Sequence, residues 1–289
     1  MITAQRLKNV IIIIFIIVAA FGQCTAVAAD KMLSLTFGLY QSQKSTTMYR
    51  QFSPIIDAIQ TEMAEQLNCP VDIHIEIFRT YAEGNNALVS GKVDFVRFGP
   101  SSYVIAKERN PMIRILAMES RNGEKTFEGI IAVRSDSKIR SLSDLEGKSF
   151  AFGSRDSTIG RYLAQSELLN AGIRAASLSG YDFLGRHDRV ASSIEVGDHD
   201  AGSMKDSVFE TYRETGRLRA LHRFDNVTQP WIARGSLPDE VFNSIKSALL
   251  NLDDPDILST LKISGFLKSD DSEYHFVREA MKKAESFEE

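Results

Sequence analysis

The chain has 289 residues, 34 basic and 38 acidic, for a net charge of −4, and 43% of its residues are hydrophobic. An acidic balance argues against nucleic acid as a partner, because binding it demands a concentrated positive face. Two cysteines, Cys24 and Cys69, supply neither a disulfide framework nor a cysteine-rich metal site, and a chain of this length can bury two modest cores without them.

Arg6 and Lys8 precede an unbroken apolar run from Val10 to Phe21, followed by the small-residue stretch TAVAAD. That order predicts a secretory signal, residues 1–29, cleaved after Ala28 or Ala29, and a periplasmic mature protein. The run is shorter than the roughly 20 residues a spanning helix needs, which disfavours a membrane anchor. Gln23 before Cys24 disfavours a lipoprotein. Removing residues 1–29 deletes Arg6 and Lys8 but no acid, leaving 260 residues with 32 basic against 38 acidic groups, a charge of −6.

From residue 33 onward apolar runs alternate with helix-period segments, without low-complexity tract or internal repeat, which predicts an α/β protein with mainly parallel sheets. LSLTFGLY (Leu33 to Tyr40) reads as a strand. Ile55, Ile56, Ile59, Met63 and Leu67 form one apolar stripe at helical spacing, and VDIHIEIF (Val71 to Phe78) alternates with period two, leaving His74 on the polar face. A helix is expected over Ala82 to Ser90, a strand over Val93 to Pro100, and a helix from Ser101. IRILAM and FEGIIAVR follow. Ser141 and Asp144 have capping-box spacing for one short turn. Phe150 to Phe152 is an apolar run ending at Gly153, and the next helix begins at Ser157 and ends near Ala171, where Gly172 suits a left-handed C-terminal residue. SGYDFLG precedes a helix from His187 to Val196; AGSM is strand-like and precedes a helix through Val208 to Thr215. After LRALHRF, Pro238 opens a last clear amphipathic helix, LPDEVFNSIKSALLNL.

In KSFAFGSRDSTIGRYL (Lys148 to Leu163), Ser157, Thr158 and Gly160 stand at a helix mouth just past a strand. The first turn of a helix carries unpaired N–H groups and the positive end of the helix dipole, so an anion is favoured there. Ser157 and Thr158 add hydroxyls, and Gly160 removes a side chain that would block close approach. Taken alone, the segment is also explained by Ser157 capping its own helix. DFVRFGPSSYVIAKERN repeats the arrangement, with Ser101 and Ser102 at a helix start and Tyr103 one residue inside. GRHDRVASSIEVGDHDAGSMKDSVFE places His187 at a third such junction and Asp206 at a fourth. Ligands of open α/β sheets collect beyond the carboxyl ends of strands. These mouths can therefore converge on one cleft built mostly from backbone donors and hydroxyls.

VDFVRFGPSSYVIA, SLSDLEGKSFAFGSRDSTIG, GRHDRVASSIEVGDHDAG and GFLKSDDSEYHFVREAM occur in this order along the chain. With them, nearly the whole mature chain resembles the phosphate, phosphite and phosphonate substrate-binding proteins of ABC importers, the PhnD-like group of the type II periplasmic binding fold. The resemblance implies two α/β lobes joined by two crossover strands and closing on a ligand at the hinge. Lobe 1 would be residues 33–127 plus 226–289, and lobe 2 residues 128–225. It implies that Ser157 and Thr158, with the N–H groups of Ile159 and Gly160, hold phosphoryl oxygens and that His187 adds a donor. Tyr103 would close from the other lobe, with Tyr40 and Ser101 nearby, and Asp206 would face the ligand.

The chain also departs from that pattern. Many relatives read Ser-Thr-Ser-Gly with a proline a few residues on, where Ile159 and Ala164 stand here; one hydroxyl donor is lost, which points to a smaller or less charged headgroup or to weaker binding. Relatives that bind aminoalkylphosphonates present a second acid near the return crossover, where NVTQPWIAR offers Gln229 and Trp231, which argues against such a ligand. Electroneutrality needs no buried lysine, and Asp206 or Asp156 accepting a proton from the anion would select a protonated oxyanion over sulfate.

Arg97 and Arg155 are either anion clamps or solvated charges beside the turns. His187, His199 and His222 lack metal-site spacing, so neither a metal nor another cofactor is expected. Asp188 caps or orients beside His187, and Trp231 is either core or cleft. Ser157 and His187 with Asp188 or Asp206 would make a hydrolase triad, but a G-x-S-x-G elbow is absent and binding without catalysis is expected. The implied partners are a small oxyanion and an ABC permease, or a membrane receptor or kinase if the protein is a sensor. The protein is expected to be a monomer.

Overall fold

A computed structural model describes residues 32–289. The apolar run, Cys24 and the cleavage positions at Ala28 and Ala29 lie outside the described residues. In chain order come β1 (Leu33–Tyr40), α1 (Ser45–Leu67), β2 (Val71–Phe78), α2 (Tyr81–Val89), β3 (Phe95–Arg97), α3 (Pro100–Arg109) and β4 (Arg114–Ser120). The chain then crosses through β5 (Thr126–Arg134) to β6 (Ser149–Phe152), a π-helical turn (Thr158–Leu163), α4 (Ala164–Asn170), β7 (Gly180–Phe183), α5 (His187–Val196), β8 (Ala201–Lys205) and α6 (Asp206–Arg213). It returns along β9 (Leu218–Val227) into β10 (Pro230–Ala233), α7 (Asp239–Asn251), α8 (Pro255–Ser259), β11 (Gly265–Leu267) and α9 (His275–Ala284).

Two sheets result: six strands in the order β11-β4-β10-β3-β1-β2, and five in the order β7-β6-β8-β5-β9. The ladders β1–β2, β1–β3, β6–β7 and β6–β8 are parallel. Those of β10 with β3 and β4, of β11 with β4, and of β5 with β8 and β9 are antiparallel. The expectation of mainly parallel sheets is thus corrected to mixed ones. The strands that carry the chain out of one sheet and back into it run against their neighbours, which apolar periodicity does not register.

Each sheet is covered on both faces. Along β1, Leu35, Phe37 and Leu39 enter one core with Met48, Phe52, Ile55, Ile56, Ile59 and Met63 of α1, while Tyr40 enters the core on the other face with Phe98 and Tyr103. Burying each large apolar side chain of the α1 stripe contributes about 1.5–3 kcal/mol. In β5, Phe127, Ile131 and Val133 face one core and Ile130 and Ala132 the other. The segment after β11 touches both sheets, with Tyr274 and Val277 in a core of the first and Ala280 and Phe287 in a core of the second.

Element ends differ from expectation by small, explicable amounts. Pro100 is the first residue of α3 and not the end of a strand, since its missing N–H costs nothing there. α6 starts at Asp206, two residues earlier than its apolar pattern. Gly172 is left-handed at φ 79° just past α4, as its position predicts.

Candidate functional site

Between the two sheets lies a cavity of about 40 Å³. Tyr40, Tyr81, Arg97 and Gly99 line it from the six-stranded side, Ser157, Thr158, Ile159, His187 and Lys205 from the five-stranded side, and Asn226 and Gln229 from the return crossing. One water needs about 10–15 Å³ of such space, so there is room for a phosphorus or sulfur centre with its oxygens and little more.

Ser157 precedes the π-helical turn, and its Oγ accepts the Gly160 N–H at 2.9 Å. Its carbonyl accepts N–H groups from Arg161 at 3.1 Å and Tyr162 at 3.2 Å, and this i+5 bond widens the turn. Ser157 therefore caps its own turn. The N–H groups of Thr158 and Ile159, first in the turn, meet no acceptor among the described residues and are the donors left at the cavity. Gly160, expected to offer its N–H to a ligand, has given it to Ser157, and it does not line the cavity. Its missing side chain serves backbone packing: a Cβ would stand 2.9 Å from both Gly153 Cα and Ser157 Oγ. The Gly153 N–H donates to the Gly160 carbonyl at 2.7 Å.

Opposite, the rings of Tyr40 and Tyr81 stack with centroids 3.7 Å apart, and Tyr40 Oη accepts the Gly99 N–H at 2.6 Å. Burial pushes the Tyr40 hydroxyl up to about 12 and that of Tyr81 higher still, so both stay protonated. Ser101 does not line the cavity. Its N–H donates to Thr158 Oγ1 at 2.9 Å, and its hydroxyl lies 2.9 Å from the same atom while donating to the Asp156 carbonyl at 2.7 Å. Ser101 joins the two sheets across the gap.

Arg97 binds Glu119 through two hydrogen bonds of 2.7 and 2.8 Å, and Glu119 also accepts from Trp231 Nε1 at 3.2 Å. Burial works against the Arg97 charge, but Glu119 outweighs it and the pKa rises. Lys205, at the end of β8, has no ion pair among the described residues. Desolvation first, then repulsion by Arg97 and Arg121, brings it down to about 7. The expectation that no lysine would stand at the site is thus corrected. Desolvation and Lys205 lower His187 to about 3, leaving a neutral imidazole. His187 Nδ1, both amide atoms of Asn226 and Gln229 Oε1 are buried without hydrogen-bond partners. Native interiors rarely leave such atoms unpaired, so four around one small cavity point to a polar occupant.

Besides Gly160 and Ser101, two more expected site residues lie off the cavity. Tyr103 is 1% exposed and packs against Tyr274 at 4.6 Å, and its hydroxyl donates to Asp271 at 2.6 Å. Asp206 accepts from Arg121 at 2.5 Å and from the Ser207 N–H at 2.6 Å, which occupies both its oxygens away from the cavity. Tyr40, Ser157, Thr158, Ile159 and His187 are brought together as expected. Lys205, Tyr81 and Asn226 were missed. Lys205 carries the same strand-to-helix signal one residue from Asp206, and Tyr81 stands at the mouth of the helix expected over Ala82 to Ser90, where no site was expected; Asn226 is marked only by being polar beside a crossing.

Of the other candidates, Arg97 lines the cavity, whereas Arg155 stacks on Phe183 at 4.2 Å. Asp188 pairs with Arg186 at 3.0 and 2.9 Å. Trp231 is fully buried against Phe37 at 4.8 Å. His199 bonds Ser193 and Asp182, and His222 bonds Glu167. Among the described residues no group of three or more His, Cys, Asp or Glu could hold a metal. The hydrolase relay is not formed, since Ser157 bonds Gly160 and both candidate acids are held by arginines.

Residues 37–274 match the family model described as "ABC transporter, phosphonate, periplasmic substrate-binding protein". The chain belongs to that family. Its work is substrate binding for an ABC importer and not catalysis. A relative named "Probable ABC transporter phosphite binding protein PhnD1", from Prochlorococcus marinus (strain MIT 9301), is 26% identical over 272 residues, 86% of this chain and 89% of its own. The "Phosphate-import protein PhnD" of Mycolicibacterium smegmatis is 22% identical over 232 residues, 74% of this chain and 70% of its own. The solved structure of PhnD1 from Prochlorococcus marinus in complex with methylphosphonate superposes with a TM-score of 0.75 at 25% identity, covering 88% of this chain and 98% of that one. The architecture is the two-lobe type II periplasmic binding fold expected from the sequence motifs. No helix among the described residues is long and apolar enough to cross a membrane.

Proposed function

We propose that the protein captures a small phosphorus oxyanion, a phosphonate, phosphite or phosphate, in the cavity between the sheets and presents it to an ABC permease. The unpaired buried atoms of His187, Asn226 and Gln229 around about 40 Å³ carry this reading. The Thr158 and Ile159 N–H groups, Asn226 Nδ2 and the Tyr81 hydroxyl donate to the anion's oxygens, and Lys205 supplies charge. Hydrogen bonds of this charge-assisted kind contribute about 1.5–3 kcal/mol each. Asn226 Oδ1 and Gln229 Oε1 take the proton of a singly protonated oxyanion, the part first given to Asp206 or Asp156. Sulfate, with no proton to donate, would leave both acceptors facing negative charge.

The lobes are residues 33–127 plus 226–289 and residues 128–225, hinged where β4 leads into β5 and β9 into β10. The Ser101–Thr158 contact latches them when closed. The mature protein, cleaved after Ala28 or Ala29, acts as a monomer. Calorimetry with phosphate, phosphite, methylphosphonate and sulfate tests the reading. At least one phosphorus anion binds saturably and sulfate does not; sulfate binding equally well, or none of the three phosphorus anions binding, contradicts it.

A further inference from the structure

The small cavity adjoins a second one of about 170 Å³, and the two share Ser42, Met48, Arg97, Lys205 and Gln229. Beyond the shared residues, the larger space is lined by the cations Arg121 and Lys262, by the apolar side chains of Phe52 and Leu261, and by four uncharged polar residues, two glutamines and two hydroxyl residues. No aspartate or glutamate lines it. Two of its four cations are already matched, Arg97 by Glu119 at 2.7 Å and Arg121 by Asp206 at 2.5 Å. Lys205 and Lys262 form no ion pair among the described residues. Only the backbone of Lys262 is fixed, left-handed at φ 57° with its N–H on the Ser259 carbonyl at 2.9 Å; its side chain is exposed at the mouth of the larger space.

A headgroup site of one phosphorus centre thus opens onto a tail-sized space bordered by two lysines that have no ion-pair partner among the described residues. A neutral alkyl tail would leave both lysines without a partner, and an amino tail would be repelled by them and by Arg97 and Arg121. We propose that the ligand is a phosphonate whose short tail ends in a carboxylate, with Lys205 between the two anionic heads and Lys262 and Arg121 holding the second. This rests on the phosphorus-oxyanion reading of the small cavity and extends it to a substrate class.

Calorimetry with phosphite and three tails of equal length separates the possibilities. We expect 3-phosphonopropionate to bind about tenfold more tightly than propylphosphonate, and 3-aminopropylphosphonate to bind more weakly than either. Lys262→Asn, which removes the charge while suiting left-handed backbone, brings the first ratio close to unity. Equal or weaker binding of the carboxylated probe overturns the inference, as does a ratio that Lys262→Asn leaves intact. Phosphite binding without any tail preference would sink this inference alone. Failure of all four probes would sink the reading of the small cavity as well.

Discussion

The mouths of α3 and of the π-helical turn look alike in sequence, each a glycine and paired hydroxyl residues after a strand, yet they spend those groups differently. At the first, the Ser101 N–H and hydroxyl both reach across to the second, on Thr158 Oγ1 and the Asp156 carbonyl. At the second, Ser157 caps its own turn, and what remains for a ligand is the pair of N–H groups on Thr158 and Ile159. A hydroxyl at a helix start marks a demand for partners. Which partner meets it is decided by what faces it, here the other lobe.

The largest test of that contrast is glycine replacement at each mouth. Gly160→Ala forces a Cβ onto Gly153 Cα at 2.9 Å, a backbone atom that cannot turn aside, and overpacking of this kind costs about 1–3 kcal/mol in denaturant unfolding. Gly99→Ala should cost clearly less, because its Cβ would meet only side-chain ends, Tyr40 Oη at 3.1 Å and Thr158 Oγ1 at 3.4 Å. Next comes the latch. Thr158→Val leaves the buried Ser101 N–H without an acceptor, disfavouring the closed form by about 1–3 kcal/mol, whereas Ser101→Ala keeps the Thr158 hydroxyl free to bond elsewhere and costs about 0.5–1.5 kcal/mol. Small-angle scattering with and without methylphosphonate reads closure directly, and a larger effect of Ser101→Ala would break the comparison.

A pH-dependent effect follows from Lys205, held at about 7 against 10.5 in the unfolded chain by burial, Arg97 and Arg121, with Asp206 and Glu119 opposing. Between those values the unfolded chain binds a proton that the ligand-free fold does not, so ligand-free stability rises with pH across that window, and the full cost of burying the charge is present below it. A bound anion favours the charged lysine. Binding therefore takes up a proton above pH 7 and weakens as pH climbs toward 10, and His187, neutral down to about 3, adds no titration there. Calorimetry in buffers of different ionisation enthalpy counts that proton, and Lys205→Gln abolishes its uptake. Smallest of all, Tyr103→Phe removes only the bond to Asp271, costing about 1 kcal/mol of stability and leaving ligand affinity unchanged.

Much of this was legible in the residues. Alternating runs gave the α/β class, the stripe from Ile55 to Leu67 gave α1, the strand-to-helix logic pointed to Ser157, Thr158 and His187, and the family resemblance added Tyr40 and Ile159. It failed where one residue of offset changes direction. Lys205 ends a strand and turns its side chain into the cavity, while Asp206 begins a helix and turns to Arg121. Local pattern cannot distinguish the two. Tyr103 was misplaced because Asp271 and Tyr274 lie far along the chain and meet it only once the first lobe is folded. Asn226 and Gln229 acquire meaning only where β9 returns between two sheets.

A crystal structure grown with methylphosphonate tests the central claim most directly. The account predicts the phosphorus group in the small cavity, with oxygens about 2.7–3.2 Å from the Thr158 and Ile159 N–H groups and the Asn226 amide. Methylphosphonate bound elsewhere, with those atoms and His187 Nδ1 still unpaired, would contradict it.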